Sequence, residues 1–242
     1  MNSNTTPDPR WGTRATVLWS AIVLLAFVLV QSLFFGWYVT THSGESDIEQ
    51  KIRELQYDGD VIAISTLLTT VLCIPMIFGI VHLKKGARLD DYLPMTIPPG
   101  NVLLRWLGFT AVFILASDAL SLISGNPIVP DFMKQAYSST DTKLLLWIAL
   151  VVAAPAFEET FFRGFMVSGF SRSRLGLSGA VLVSAALWAI IHVQYDWYGV
   201  FTIFAFGLFL GAARVQTGSL ATPMLIHAVA NSFASFQAGL SN

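Results

Sequence analysis

The sequence predicts an all-α fold: a polytopic bundle of transmembrane helices with a polar cavity near the middle of the membrane. Of 242 residues, 54% are hydrophobic and 12% are charged, whereas soluble domains carry about 25% charged residues. The apolar residues fall in runs long enough to cross a bilayer, which takes about 20 helical residues. A third observation is a pair of adjacent carboxylates, Glu158 and Glu159, inside one of these runs.

Seven apolar runs are predicted to span the membrane, and they cover residues 16–39, 61–83, 102–124, 143–170, 175–192, 198–213 and 219–237. The first run exceeds the roughly 7–15 residues of a cleaved signal sequence, so we expect it to be retained as a helix. The connections 84–101 and 125–142 are predicted loops, the second with a short helix around 131–137. A further short span in either connection would make eight. We divide the chain into N-terminal helices and loops, residues 1–142, and catalytic core helices, residues 143–242.

The distribution of lysine and arginine predicts the orientation of the bundle. Basic residues concentrate on the cytoplasmic side of membrane proteins. On one side of the predicted spans lie Arg10, Arg14, Lys84, Lys85, Arg88, Arg105, Arg172, Arg174 and Arg214, and on the other Lys51, Arg53, Lys134 and Lys143. Nine against four predicts a cytoplasmic N-terminus and, with seven spans, a C-terminus outside.

Net charge and cysteine usage exclude several classes of function. The formal net charge is −1, which argues against nucleic acid or an anionic surface as the main partner. Cys73 is the only cysteine in the sequence, so neither a disulfide framework nor a thiolate metal site is expected. Cys73 itself lies within an apolar run and is expected to be a small buried hydrophobic residue.

The Glu158–Glu159 pair is the strongest functional signal in the sequence. A charged side chain at the bilayer centre costs at least about 2.5–3.5 kcal/mol, so such residues face the protein interior or a wet cavity. Arg163 follows Glu159 by four residues, a spacing that stacks the two side chains on one helix face. This predicts that Glu159 is held by Arg163 as a structural ion pair. Glu158 is turned about 100° away around the helix.

Three further polar side chains are predicted at a depth similar to that of the glutamates. At 1.5 Å per helical residue, Glu158 lies about 18 Å deep, His192 about 24 Å, His227 about 12 Å and Asn231 about 18 Å. His227 and Asn231 are four residues apart and share a helix face. Trp188 precedes His192 by the same spacing. These residues can therefore meet in one cavity between the helices.

The chemistry open to two glutamates, two histidines and an asparagine is narrow. A carboxylate in a low-dielectric pocket holds a proton more tightly than in water and can act as a general base near neutrality. The activated water would attack a carbonyl, and the amide of Asn231 with the N–H of His227 would stabilise the oxyanion. The same side chains also suit a His/His/Glu zinc site. Residue types alone leave both mechanisms open.

Three ordered motifs resemble those of a known family. They are Glu-Glu-x-x-x-Arg at 158–163, x-x-x-His ending at His192, and His-x-x-x-Asn at 227–231. Together they are similar to the motifs of the CPBP intramembrane glutamic proteases. That family includes type II CAAX prenyl endopeptidases and bacteriocin-immunity-type membrane proteins. The resemblance covers about residues 143–237 and implies a metal-independent glutamate mechanism, with no cofactor and no metal ion. Trp188 stands where the family usually has phenylalanine, which would narrow the cavity.

The resulting hypothesis is an intramembrane endopeptidase in the cell membrane. Glu158 would be the base, and His192 would assist it. The oxyanion would be bound by His227 and Asn231. Arg163 would hold Glu159. The expected partners are membrane lipid and a peptide or membrane-protein substrate, with or without a lipid modification, and no nucleic acid. Two alternatives are a non-proteolytic adaptor or immunity protein that keeps the cavity without turnover, and a proton-coupled carrier.

Overall fold

The protein is all-helical throughout the part of the chain that the structure describes. The structure is a computed structural model that describes residues 9–42 and 48–241. Within these ranges there are ten helices and no strand: α1 (Thr13–His42), α2 (Ile48–Leu55), α3 (Gly59–His82), α4 (Leu89–Tyr92), α5 (Gly100–Ile123), α6 (Asp131–Ser139), α7 (Lys143–Phe170), α8 (Gly176–Ile190), α9 (Trp197–Thr217) and α10 (Ala221–Leu240). The all-α prediction is confirmed.

Each predicted span corresponds to a helix, with ends that differ by at most four residues. Five described helices, α1, α3, α5, α7 and α9, are long and apolar enough to cross a membrane. Helix α8 is apolar but has 15 residues, and α10 has 20. For these two helices, membrane crossing stays a prediction. Helices α4 and α6 are too short to add an eighth span, and α6 matches the short helix predicted around 131–137.

Contacts at the two ends of the bundle show that α5 and α10 run in the same direction and that α7 runs in the opposite one. At one end, Gln237 of α10 donates to Asp118 of α5 across 2.8 Å, near the end of each helix. At the other end, the backbone N–H of Leu220 donates to the carbonyl of Pro94 at 2.7 Å. Ser168, near the end of α7, donates to the carbonyl of Tyr92 at that same end. These three helices therefore have the relative directions that the predicted order of spans requires.

Helix α7 is the centre of the bundle. It packs against α1, α3, α8, α9 and α10, and half of its most apolar stretch is buried inside the protein, against 11% for α1. Phe157, Phe161 and Phe165 recur every four residues and stack nearly parallel along one face. This spacing lines up side chains on a helix. Burial of that aromatic face fixes α7 among its neighbours.

Two segments of α7 are π-helical rather than α-helical, Ala149–Ala153 and Glu159–Met166. The N–H of Ala154 donates to the carbonyl of Ala149, five residues back. Pro155 follows, and proline supplies no N–H to continue an α-helical ladder. Wide turns of this kind are frequent at functional sites. The second segment begins at Glu159, so the change in helix type coincides with the predicted site.

Helices α8 and α9 approach closely through glycines, as the small-xxx-small spacing of Gly207 and Gly211 predicts. A β-carbon added at Gly207 would lie 3.0 Å from the β-carbon of Ala185 and 3.1 Å from Nη2 of Arg163. At Gly211 it would collide with Val181. This packing brings the backbone of α9 against the charged part of α7.

Candidate active site

Glu159 and Arg163 form a fully buried ion pair, as their spacing predicts. Nη1 of Arg163 donates to Oε1 of Glu159 at 3.1 Å, and the two side chains are 1% and 0% exposed. Nη2 of Arg163 donates to the carbonyl of Gly207 at 3.2 Å. The guanidinium also lies 4.4 Å from the centre of the Trp188 ring, within the range of a cation–π contact. Arg163 is thus held from three directions.

His227 connects the two carboxylates. Its Nδ1 lies 2.9 Å from Oε1 of Glu159, and since a carboxylate accepts, Nδ1 is the donor. Its Nε2 lies 3.9 Å from Oε2 of Glu158. The bond to Glu159 fixes the tautomer and orientation of the ring, as an outer carboxylate does for a functional histidine. The nitrogen presented to Glu158 is therefore defined.

Glu158 is the more accessible of the two glutamates. Its side chain is 15% exposed, and the indole N–H of Trp188 donates to its Oε2 at 2.6 Å. The Trp188 ring contacts the His192 and His227 rings edge to face, with centroids 5.1 and 5.3 Å away. Trp188 therefore lies against both histidines and also holds one oxygen of the Glu158 carboxylate.

His192 follows the end of α8 and reaches this group through Trp188. Its Nδ1 donates to the carbonyl of Trp188 at 2.7 Å, so Nε2 carries the lone pair of a neutral ring. Tyr195 packs beside it, with ring centroids 6.1 Å apart. Burial, and then the nearby Glu158 carboxylate, raise the pKa of the Tyr195 phenol. Tyr195 therefore remains an O–H donor at neutral pH.

Asn231 lies one turn along α10 from His227 and makes a different contact. Its Nδ2 donates to the carbonyl of Leu150 at 2.8 Å, within the first π-helical segment. An asparagine amide has a second N–H, so this bond uses half of its donor capacity. Direct side-chain contacts join Glu158, Glu159, Arg163, Trp188 and His227. His192 joins this group through Trp188, and Asn231 lies beside it.

Sequence reasoning missed two backbone groups, the carbonyls of Gly207 and Leu150. The spacing of Gly207 and Gly211 indicated close packing, and this packing is what brings the Gly207 carbonyl to Arg163. The presence of a glycine opposite the buried Arg163 could have indicated that the Gly207 carbonyl is an acceptor. Leu150 carries no such signal, because any residue supplies the same carbonyl.

A metal requires three or more suitable ligands around one point. Within residues 9–42 and 48–241, no three His, Cys, Asp or Glu side chains are grouped so that they could hold a metal ion. Nevertheless, Nδ1 of His227 donates to Glu159, and zinc-binding histidines also donate one ring N–H to an outer carboxylate. The chelation experiment described in the Discussion therefore tests the metal-independent mechanism directly.

Membrane-length apolar helices around a buried cluster of Glu, Arg and His define a multi-pass membrane protein with a charged centre inside the bundle. Residues 140–233 match the family model described as "Type II CAAX prenyl endopeptidase Rce1-like". This confirms the resemblance to CAAX-protease-like membrane proteins, and the matched range includes every candidate site residue. The chain is also 29% identical over 167 residues to the "Uncharacterized 24.3 kDa protein" of Escherichia coli, covering 67% of this chain and 73% of the relative. No solved structure matches the chain significantly.

Proposed function

We propose that the protein is an intramembrane endopeptidase that hydrolyses a peptide bond with water activated by Glu158. The observation that carries the proposal is the unequal environment of the two glutamates. Glu159 is 0% exposed and bonded to Arg163 and His227, whereas Glu158 is 15% exposed and accepts from Trp188. A general base must reach substrate water, and the more accessible carboxylate meets that condition.

The reaction follows from the groups around Glu158. Glu158 takes a proton from water, and the hydroxide oxygen forms a bond to the peptide carbonyl carbon. The resulting oxyanion is stabilised by the second N–H of Asn231 and by His227, whose ring is oriented by Glu159 through Nδ1. Glu158 then returns its proton to the leaving nitrogen as the C–N bond breaks. The products are a carboxylate and an amine.

His192 would assist from its position against the Trp188 ring. Its Nδ1–H is committed to the Trp188 carbonyl, so the lone pair on Nε2 is left to accept a hydrogen bond from the same water. Trp188 keeps Glu158 in position by donating to one carboxylate oxygen. The other oxygen is left to act on water.

The proposed location is the cell membrane, with the N-terminus in the cytoplasm, and the proposed substrate is a peptide or membrane protein, with or without a lipid modification. The excess of basic residues on one side supports this orientation. Reporter fusions at both termini test it, with the N-terminal reporter protected inside the cell and the C-terminal one accessible outside. Two reporters on the same side would contradict the seven-span arrangement.

The decisive experiment is peptide mass spectrometry on membranes that contain the wild-type protein or Glu158→Ala, incubated in ¹⁸O-labelled water. We expect peptides with labelled new C-termini from wild-type membranes only. Glu54→Gln, a change at an exposed glutamate paired with Lys51, is the matched control and should retain the products. Identical peptide sets from wild-type and Glu158→Ala membranes would instead support the adaptor hypothesis.

A further inference from the structure

A cavity of about 310 Å³ lies beside the candidate active site. Its volume is at the lower end of the range for ligand pockets, about 300–1,000 Å³. The wall comes mainly from the end of α5, from α6 and the segment before it, and from the segment after α8 together with the first turns of α9. Tyr195 contributes to this wall and also packs against His192, at 6.1 Å between ring centroids. The cavity therefore adjoins the active site through one residue.

The wall of this cavity is acidic and aromatic. Asp118, Asp131 and Asp196 line it, and none of its lining residues is lysine or arginine. Lys134 pairs with Asp131 at 3.1 Å from outside the wall, so Asp118 and Asp196 carry the excess negative charge. The rings of Tyr195 and its neighbours supply faces that attract cations.

Asp118 is the unusual member of this wall. It belongs to α5, an apolar helix of membrane-spanning length, and an ionisable group there is expected to serve a function. Gln237 of α10 donates to its Oδ2 at 2.8 Å, which fixes the carboxylate and leaves Oδ1 for a ligand. Among the described residues, the carboxylates are not grouped to hold a metal ion. An organic cation fits this wall better, because it needs acceptors and aromatic faces rather than three converging ligands.

We propose that this cavity is a substrate subsite that binds a lysine or arginine side chain on the segment flanking the scissile bond. The proposal rests on the endopeptidase function proposed above, because it names the chemistry of that substrate. A substrate cation would contact Oδ1 of Asp118 and the carboxylate of Asp196, with its stem against the aromatic rings. The apolar part of the same peptide would then continue along Tyr195 to Glu158.

Binding can be measured without turnover, which separates this proposal from the endopeptidase function. The full-length Glu158→Gln variant is placed in phosphatidylcholine nanodiscs. The probes are short fluorescent Ala/Leu peptides that carry one arginine at successive positions, each with a citrulline counterpart of the same shape. We expect the arginine peptide to bind about tenfold more tightly at one position or two adjacent ones, as for a charge-assisted hydrogen bond.

Two further variants connect this preference with the cavity. In Glu158→Gln carrying Asp118→Asn and Asp196→Asn, the preference for arginine should disappear. Asp196 caps α9 by accepting from the backbone N–H of Gly199 at 2.7 Å. Asparagine is also a good N-cap and keeps an acceptor for Gln237 at position 118, so the fold is retained. Asp90→Asn, at an exposed residue paired with Arg88 at the other end of the bundle, is the matched control and should leave the preference intact.

Two outcomes overturn the subsite. One is that no arginine peptide binds more tightly than its citrulline counterpart. The other is that the preference survives in the doubly substituted cavity. Arginine-selective binding of peptides that the wild-type protein never cleaves would leave the subsite in place and count against the endopeptidase function. Cleavage of peptides without any preference for arginine would support the endopeptidase function and contradict the subsite.

Discussion

The two halves of the candidate site differ more than their sequence positions suggest. The closed half consists of Glu159, Arg163 and Gly207, and the open half consists of Glu158, Trp188 and His192. Glu158 and Glu159 are adjacent, yet one carboxylate is 15% exposed and the other 0% exposed. In the closed half, Arg163 is bonded to both of its partners. In the open half, Glu158 accepts from Trp188.

In the proposed mechanism, this difference lets one membrane helix carry both a structural and a reactive charge. A buried ion pair is tolerated when each charge has a partner, and removal of one partner leaves an uncompensated charge. The closed half meets this condition, and on this ground we propose a structural role for its carboxylate. The open half leaves its carboxylate accessible. Because a helix turns about 100° per residue, one step along α7 moves from one environment to the other.

The largest expected effect is the loss of stability when the closed half is broken. Glu159→Gln or Arg163→Met should lower the free energy of unfolding by about 3–5 kcal/mol, since each leaves a buried charge unpaired. Glu159→Gln should also lower activity, because Nδ1 of His227 loses its carboxylate partner. Thermal unfolding in detergent and the yield of folded protein measure the first effect.

A matched comparison within the same pair of glutamates sharpens this prediction. Glu158→Gln removes the charge of the open half and should abolish cleavage while the unfolding temperature stays near that of the wild type. The double variant Glu159→Gln with Arg163→Met should recover part of the stability without recovering activity, since the unpaired charge is gone. If Glu158→Gln and Glu159→Gln lowered the unfolding temperature equally, the distinction between the two halves would be contradicted.

The next effect separates two roles of Asn231. As an oxyanion donor its loss should lower the rate by about 10²–10³, with little change in substrate binding. As a clamp on the Leu150 carbonyl, its loss should lower stability instead. We expect Asn231→Ala to lower kcat at nearly constant KM and unfolding temperature. A variant with full kcat and a lower unfolding temperature would assign Asn231 to the clamp alone.

A smaller effect is expected for Trp188→Phe, which introduces the residue that is usual at this position in the family that the sequence resembles. Phenylalanine keeps an aromatic ring near the two histidines but removes the N–H that donates to Glu158. A hydrogen bond to a charged group contributes about 1.5–3 kcal/mol, so kcat/KM should fall about tenfold to a hundredfold. Trp19→Phe, remote from the site, controls for the general effect of the substitution. An unchanged kcat/KM would mean that the indole only fills space.

The sequence predicted the long helices because apolar runs of membrane length have few alternatives to a helix in lipid. Helix α2 was missed. It lies in the acidic connection 40–60 and has eight residues, too few for an apolar period to stand out. The π-helical segments of α7 were also missed. Pro155 indicates an interrupted ladder, but not whether the chain responds with a kink or a wide turn.

For the site, the sequence predicted contacts within one helix better than contacts between helices. Glu159 and Arg163 meet because four residues bring them to one face, which any α-helix does. The Glu159–His227 bond depends on how α10 packs against α7, and sequence spacing does not contain that information. The sequence hypothesis assigned His227 to the oxyanion, and the structure adds that Glu159 orients its ring. The cavity at Asp118 likewise arises from several separate segments.

The last prediction is that chelators have no effect on activity, and it distinguishes the glutamate mechanism from the zinc mechanism. Oε2 of Glu158 and Nε2 of His227 lie 3.9 Å apart, and Glu159 orients His227 as it would a zinc ligand. However, the indole N–H of Trp188 donates to the same Oε2 at 2.6 Å. A donor on that oxygen competes with a cation for its lone pairs, and zinc requires three protein ligands at about 2.0–2.2 Å.

We therefore expect chelators to leave cleavage unchanged in protein that was purified and assayed without added metal. Metal content is measured by mass spectrometry before and after chelation, and the rate is followed on the same samples. A known zinc protease treated in parallel shows that the chelator is effective. Stoichiometric zinc in the purified protein, with activity lost on chelation and restored by zinc, would contradict the prediction. Glu158 would then be a ligand, and Glu159, the remaining carboxylate, would become the candidate base.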